Sequence, residues 1–186
     1  MTLSWLQRLA AAPRRRFVVA AVLVAFAGFI VAVLLLRLVE GAVSLATGFG
    51  TLDLEFAWTA ARAEVILTAW GPTLTTLEVW GVDIDFGFIA SYATLMAGLT
   101  LLLTRQFTGR VQTLGFLFVL APVIAGFFDV TENALLLTMM SAPTSVVDPV
   151  PLVASLCASI KFALIIATIL YFVIGLGVFA FRRARR

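Results

Sequence analysis

The chain of 186 residues contains no histidine and only one cysteine, Cys157. The lack of histidine excludes histidine-ligated haem, the usual zinc and non-haem iron sites, and nucleophiles that histidine activates. One cysteine can form neither an intramolecular disulfide nor a cysteine-based zinc site. The sequence also has no phosphate-binding loop, dinucleotide fingerprint, GxSxG elbow or HExxH motif. It therefore predicts no cofactor and no resident metal.

Charge is scarce as well. Charged residues make up 12% of the chain, whereas a soluble domain carries about 25%. Hydrophobic residues make up 62%, and the mean hydropathy is +1.11. The basic pI of about 9.8 does not indicate a nucleic-acid partner, because the basic residues flank apolar segments as they do in membrane proteins. Arginine outnumbers lysine twelve to one in an alanine-rich chain, which is typical of a high-GC bacterial genome, so we expect a bacterial cytoplasmic (inner) membrane protein.

Four apolar segments predict four transmembrane helices, at about 17–36, 82–103, 114–140 and 152–181. Each approaches or exceeds the roughly 20 residues that cross the hydrocarbon core. The first follows three arginines, as a signal peptide would, but it is longer than the roughly 7–15 apolar residues of a signal peptide. We therefore expect one all-α membrane domain, a four-helix bundle with a long loop at 37–81.

The basic residues predict the orientation of the bundle. Ten of the thirteen lie in the N-terminal segment, the turn between the second and third spans, and the C-terminal segment, which contain no acidic residue. They are Arg8, Arg14, Arg15, Arg16, Arg105, Arg110, Arg182, Arg183, Arg185 and Arg186. Positive charge marks the cytoplasmic side, so both termini are expected in the cytoplasm and the 37–81 loop outside.

The first residues allow two interpretations. Leu3, Trp5, Leu6 and Leu9, together with Arg8, fit a short amphipathic helix on the inner membrane surface. A disordered tail fits a segment of this length equally well.

The long outer loop contains three local patterns. Apolar and acidic residues alternate over 52–56, as they do in a strand. Thr59 is placed to cap a helix that runs to Trp70, and Gly71 and Pro72 would end it. Residues 75–78 read as a capping box, which predicts that the second membrane helix begins near Thr76.

The loop helix is amphipathic, and tryptophans surround it. Ala63, Ile66, Leu67 and Trp70 fall on one face at helical spacing. Trp58, Trp70 and Trp80 are candidate interfacial anchors, because tryptophan favours the headgroup level. The loop helix is therefore expected either to lie on the bilayer or to act as a lid over an outward-facing cavity.

The third and fourth spans carry ionisable residues inside the membrane. Asp129, Glu132 and Asn133 are spaced at i, i+3 and i+4, so they share one helix face. At 1.5 Å per residue, Asp129 lies roughly 22 Å from the cytoplasmic start of its span and Lys161 roughly 14 Å from the outer start of the next. The two depths match, so we expect Lys161 to pair with Asp129 or Glu132.

The second span adds polar groups at its outer end. Asp83 and Asp85 lie near its start, and Tyr92 lies two helical turns deeper than Asp85 on the same face. Together with Asp129, Glu132, Asn133 and Lys161, these residues are the candidates for ligand binding or proton handling. An intramembrane ionisable residue is a candidate functional site because burying it is costly.

Two other interpretations of these residues stay open. The polar residues could form a clasp that orients helices lacking a hydrophobic drive to associate. The four acids Asp83, Asp85, Asp129 and Glu132 could also offer oxygens to Mg²⁺, Ca²⁺ or Mn²⁺. Lys161 argues against a metal, because it supplies the positive charge itself.

In the segments Trp80–Tyr92 and Asp129–Asn133 and in its topology, the chain resembles the EXPERA-type proteins, the group of emopamil-binding sterol isomerase and the sigma-2 receptor. The resemblance implies a small bundle whose acidic interior receives a lipid-like or cationic amphiphile. The chain departs from the isomerases, which use a histidine with their acids, and from the receptor type, which carries an acid in its first span.

Three functions are consistent with the sequence. The first is binding or processing of a lipophilic molecule, with carboxyls as acid–base groups if there is catalysis. The second is an accessory subunit that docks a membrane-protein partner or a second copy of the chain. The third is a proton-coupled transporter built as an oligomer. Apart from Thr100 and Thr104, the inner halves of the spans are nearly all apolar, which argues against a continuous path.

Overall fold

Five helices account for most of the computed structural model, which describes residues 12–185. They are α1 (Arg15–Thr47), α2 (Thr51–Glu55), α3 (Ala60–Thr104), α4 (Gly109–Ser141) and α5 (Val150–Ala184). All but α2 are long and apolar enough to cross a membrane. The predicted number of spans is therefore confirmed, and the chain is a multi-pass membrane protein. The proposed amphipathic segment at Leu3–Leu9 lies outside the described residues.

The long helices pack around α3. Helices α3, α4 and α5 contact one another, whereas α1 packs mainly along α3. Small residues allow this close approach, as is common between transmembrane helices. A Cβ at Gly98 of α3 would lie 2.5 Å from Val22 Cγ2 of α1, and one at Gly126 of α4 would lie 3.2 Å from Ile89 Cγ2 of α3.

Helix α1 is longer than the first predicted span. It continues past residue 36 to Thr47 and ends at Gly48, which has a φ of 77° and forms a left-handed cap. Arg37 and Glu40 therefore lie on a helix, where the sequence predicted the start of a loop. This extension places the Glu40 carboxyl beside α2 and α3.

The segment 48–71, which we call the cap, covers one end of the bundle. It comprises α2 and the first part of α3, residues 60–70. Thr59 caps that part as predicted, because its hydroxyl accepts a hydrogen bond from Arg62 N–H (3.3 Å). Gly71 breaks the helix as predicted, with φ 63° and ψ 178°, a conformation that essentially only glycine adopts.

The predicted start of the second membrane helix near Thr76 is wrong. After Gly71 the chain is helical from Pro72 onward, because proline suits the first helical position, where no N–H partner is needed. The Thr75 hydroxyl, expected in a capping box, has no hydrogen-bond partner among the described residues. Glu78, the other member of that box, turns towards α1 and α2 instead.

The strand predicted at 52–56 is also wrong, because these residues form α2. The Gly50 N–H donates to Asp53 Oδ2 (2.8 Å), which caps a short helix. Leu54 and Glu55 are adjacent and both buried, whereas Leu52 and Phe56 are exposed. Alternation over five residues cannot distinguish a strand from one helical turn when local capping favours the turn.

The loop helix packs on protein. Ala63, Ile66, Leu67 and Trp70 are between 0% and 3% exposed and belong to one core with Val43, Leu54, Leu136, Met139 and Ala154. The predicted apolar face is therefore present, and it packs on the ends of α1, α4 and α5. Trp70 donates its indole N–H to Phe49 O (3.1 Å), so it is a core residue and does not serve as an interfacial anchor. Trp58 and Trp80 are exposed.

Polar contacts fix the cap to the start of α5 and the loop before it. Trp58 N–H donates to Ser155 Oγ (3.1 Å), and Ser155 Oγ–H donates to Glu55 O (2.7 Å). Ala60 N–H donates to Asp148 Oδ1 (3.2 Å), and Val146 N–H donates to Glu64 Oε1 (3.1 Å). We call this end of the bundle the capped end.

Candidate functional site

A buried ion cluster lies below the cap. Lys161 Nζ of α5 is 2.8 Å from Asp129 Oδ1 and 2.9 Å from Glu132 Oε2, both of α4, and 3.3 Å from Glu55 Oε2 of α2. All four side chains are nearly inaccessible to solvent. The pairing predicted for Lys161 is present with both acids. We call these four residues the Lys161 cluster.

The cluster has more carboxyl groups than cations. Three carboxyls face one ammonium, and Tyr92 OH donates to Asp129 Oδ2 (2.9 Å). Glu132 is fully buried, and its Oε1 has no hydrogen-bond partner among the described residues. The ammonium occupies the centre at which a metal ion would have to sit, so this geometry fits an ionic clasp that joins the cap to α4 and α5.

No pattern in the sequence predicts that Glu55 belongs to this cluster. The alternation over 52–56 predicts a strand, in which Glu55 would lie on the face opposite Leu54. In the structure one turn of helix points the side chain down between α4 and α5. The hydrogen bond from Ser155 Oγ–H to Glu55 O (2.7 Å) holds the backbone at that depth, and only the fold brings these two residues together.

A second polar group lies beside the cluster on the α3 side. Asn133 Nδ2 donates to Asp85 Oδ2 (2.7 Å), which links α4 to α3. Asp83 is exposed and faces away from this group, so the structure does not bring it to the other candidates. The residues predicted as one site thus divide into the Lys161 cluster with Tyr92, the Asp85–Asn133 link, and a separate Asp83.

A third polar group involves two acids that sequence reasoning did not select. Thr51 Oγ1 is 2.7 Å from Glu40 Oε2 of α1 and 2.8 Å from Glu78 Oε2 of α3. Thr51 N–H also donates to Glu40 Oε2 (2.9 Å). Helix α2 therefore draws the two carboxyls together. We call them the Glu40–Glu78 pair. The extension of α1 to Thr47 brings Glu40 to this position, and the start of the second part of α3 at Pro72 brings Glu78. Neither feature was predicted.

A cavity of about 450 Å³ connects these groups. Its polar lining residues are Arg37, Glu40, Thr51, Glu55, Glu78, Asp85 and Asn133, and its apolar lining residues are Val33, Leu36, Val39, Leu52, Val82 and Phe88. We call it the acidic cavity. Asp85 and Asn133 line it, as does Glu55 from the edge of the cluster, whereas Lys161, Asp129, Glu132 and Tyr92 lie behind its wall.

Comparison with known proteins gives no relative: no protein-family model, no curated protein and no solved structure matches this chain.

The arrangement can do two things chemically. The Lys161 cluster can fix the cap, because a buried charge that loses its partner is strongly unfavourable. The acidic cavity can hold a molecule with an apolar body, and it offers acceptors to a hydrogen-bond donor or a cation. A volume of about 450 Å³ lies within the range typical of small-molecule sites, roughly 300–1,000 Å³.

Proposed function

We propose that this protein binds a lipophilic or amphiphilic molecule within the membrane, in the acidic cavity. The observation that carries the proposal is a cavity of about 450 Å³ lined by both apolar and acidic side chains, next to the ion cluster. Pockets with apolar walls and a few convergent polar groups are typical of ligand sites. A cavity in a chain that spans a membrane is accessible to molecules dissolved in lipid.

The surrounding structure supports binding at this place. Helix α1, which packs mainly on α3, forms the side of the cavity next to the lipid with Val33, Leu36 and Val39. The Lys161 cluster holds α2 in position from the opposite side, so the polar lining is preorganised. By the distribution of arginines, the capped end faces outward, and the cavity lies in the outer part of the bilayer.

A cavity-filling substitution tests this function. The protein in lipid nanodiscs is photolabelled with a diazirine derivative of n-octanol, and the labelled residues are identified by mass spectrometry. Saturable labelling of Leu52 or Phe88 is expected. Leu36→Trp should abolish it, because the indole would fill the cavity. Leu35→Trp is the matched control, because the neighbouring Leu35 is 43% exposed and lies outside the cavity.

Two outcomes contradict the proposal. Labelling of Leu52 and Phe88 that never saturates would show that the probe is only dissolved in the surrounding lipid. Equal labelling in the Leu36→Trp and Leu35→Trp variants would show that the cavity is not the site. Thermal unfolding of both variants controls for loss of the fold.

A second candidate function, an accessory subunit, is favoured by a different observation. An apolar groove of about 750 Å³ runs between α1, α3 and α4 and contains small residues, among them Ala21, Ala93, Ala97 and Gly126. Small residues are typical of surfaces where transmembrane helices meet, so a helix of a partner protein would fit. Saturable labelling of the acidic cavity would favour ligand binding over this candidate.

A further inference from the structure

The Glu40–Glu78 pair has a hydrogen-bond geometry that favours a shared proton. Thr51 Oγ1 is 2.7 Å from Glu40 Oε2 and 2.8 Å from Glu78 Oε2. A hydroxyl has one hydrogen to donate. That hydrogen gives either one full hydrogen bond or two weaker bifurcated ones. Both contacts are full hydrogen bonds when one carboxyl carries a hydrogen and donates it to Thr51 Oγ1. The pair and Thr51 together then hold one extra proton and one negative charge.

Glu78 also has an unused buried acceptor beside the cavity. The residue is only 1% exposed and lines the acidic cavity. Its Oε1 atom has no hydrogen-bond partner among the described residues. A buried acceptor without a donor is unfavourable, so this oxygen favours a ligand that brings one. This unpartnered oxygen is a different atom from Glu78 Oε2, which contacts Thr51.

Among residues 12–185, no cation lies within ion-pair distance of the Glu40–Glu78 pair. Glu55 is held by Lys161 (3.3 Å), and Asp85 accepts from Asn133 (2.7 Å). Asp129 and Glu132 of α4 are also paired to Lys161 of α5, and Asp53 of α2 accepts from Gly50 N–H. Arg37 of α1 is exposed where it lines the cavity. The Glu40–Glu78 pair is therefore the place where an incoming positive charge gains most.

We infer that the Glu40–Glu78 pair is an exchange site, which holds a proton when the cavity is empty and a primary ammonium group of an amphiphilic ligand when it is filled. In the exchange one ammonium enters, its N–H groups donate to Glu78 Oε1 and to the Glu40 carboxylate, and one proton leaves to water. The total charge is unchanged. The apolar lining favours an alkyl-bearing ammonium over a bare metal ion. This inference rests on the proposed function and names the chemistry of its ligand.

Competition with two probes of equal length tests the charge requirement. Octylammonium and n-octanol compete with the diazirine octanol label for Leu52 and Phe88. Octylammonium should compete about tenfold better or more, because its hydrogen bonds to carboxylates are stronger than those of a neutral hydroxyl. Glu78→Gln should remove this advantage. Asp83→Asn is the matched control, because Asp83 is an exposed acid on the same helix, and it should leave the advantage unchanged.

Proton release tests the exchange itself. Octylammonium stays charged near neutral pH, as lysine does with a pKa of about 10.4. Calorimetric titration in buffers of different ionisation enthalpy should therefore detect release of close to one proton per ammonium bound. Binding should tighten as pH rises, because the competing proton is scarcer. In Glu78→Gln both the proton release and the pH dependence should be lost.

Gly50→Ala provides a test that keeps every charge. A Cβ at Gly50 would overlap the Glu40 carboxylate, while the Gly50 φ of −108° is accessible to alanine. The substitution should push Glu40 away from Thr51 and weaken octylammonium binding by about tenfold, while n-octanol binding is retained. Equal binding of octylammonium before and after the substitution would count against the pair.

The outcomes separate this inference from the proposed function. If octanol and octylammonium bind equally in the cavity and no proton is released, the exchange site is refuted and the binding function stands. If Leu36→Trp affects neither probe, both are refuted. If sodium chloride competes as well as octylammonium at equal concentration, with the ionic strength held constant by a bulky organic salt, the site takes any cation and the ammonium assignment is wrong.

Discussion

At the scale of single residues, the only lysine of the chain organises the charges at the capped end. Lys161 lies among three carboxyls, and all four side chains are nearly inaccessible to solvent. The desolvation of these charges is offset only by their mutual contacts and hydrogen bonds. Such a cluster is sensitive to the loss of its cation and tolerant of the loss of one surplus acid.

Lys161→Met should therefore destabilise the protein strongly. Removing the ammonium leaves buried carboxyls unpaired, and breaking a buried pair costs about 3–5 kcal/mol. Unfolding of the variant by denaturing detergent, followed by circular dichroism, measures the loss.

Arg62→Met is the matched control, because Arg62 is an exposed cation of the cap. Its side chain contacts the Phe49 ring (4.9 Å), so its loss should cost no more than about 1 kcal/mol. Adding Glu132→Gln to Lys161→Met should recover part of the stability. Equal losses for Lys161→Met and Arg62→Met would show that the cluster is not a clasp.

At the scale of elements, the cap decides which residues meet. Helix α2 has only five residues, yet its Thr51 approaches α1 and α3 and its Glu55 reaches α5. The cap can do this because residues 60–70 cover the helix ends with a fully buried face. The break at Gly71 lets α3 turn from the cap into the membrane, and a Cβ there would be strained.

The packing of the cap predicts a large difference between two neighbouring substitutions. Ile66 is 0% exposed and Val65 is 52% exposed. Ile66→Ala should lower the free energy of unfolding by about 2–5 kcal/mol, because it leaves a cavity in the core. Val65→Ala should change it by less than about 0.5 kcal/mol.

Hydrogen exchange of residues 48–71 locates the effect, since Ile66→Ala should raise exchange throughout the cap. Similar exchange in the two variants would mean that the helix rests on lipid, as an interfacial anchor would, and not on the protein core.

At the scale of the whole molecule, charge is divided between the two ends of the bundle. Acids and Lys161 are concentrated at the capped end, whereas Arg105, Arg110 and Arg182 lie at the opposite end. Such asymmetry orients membrane proteins with the arginine-rich end in the cytoplasm. The buried polar groups are thus expected to serve the outer side.

Cysteine labelling tests this orientation. Thr108→Cys and Thr144→Cys place exposed thiols at the opposite end and the capped end of the bundle. In intact cells a membrane-impermeant maleimide should label Thr144→Cys, and Thr108→Cys should be labelled only after the cells are opened. The native Cys157 is buried and should give little background. The reverse pattern would place the capped end in the cytoplasm.

By itself the sequence determined the four spans, the Thr59 cap, the break at Gly71 and the partners of Lys161 on α4. These depend on apolar length, local capping and helical spacing, which act along the chain. Only the tertiary structure decided that Glu55 and Glu78 are buried, that Glu40 meets α2, and that a cavity lies beside the cluster. Their positions follow from long-range contacts of α2 with α1, α3 and α5. A local sequence pattern does not contain this information, because it does not specify which distant helices pack against a short helix.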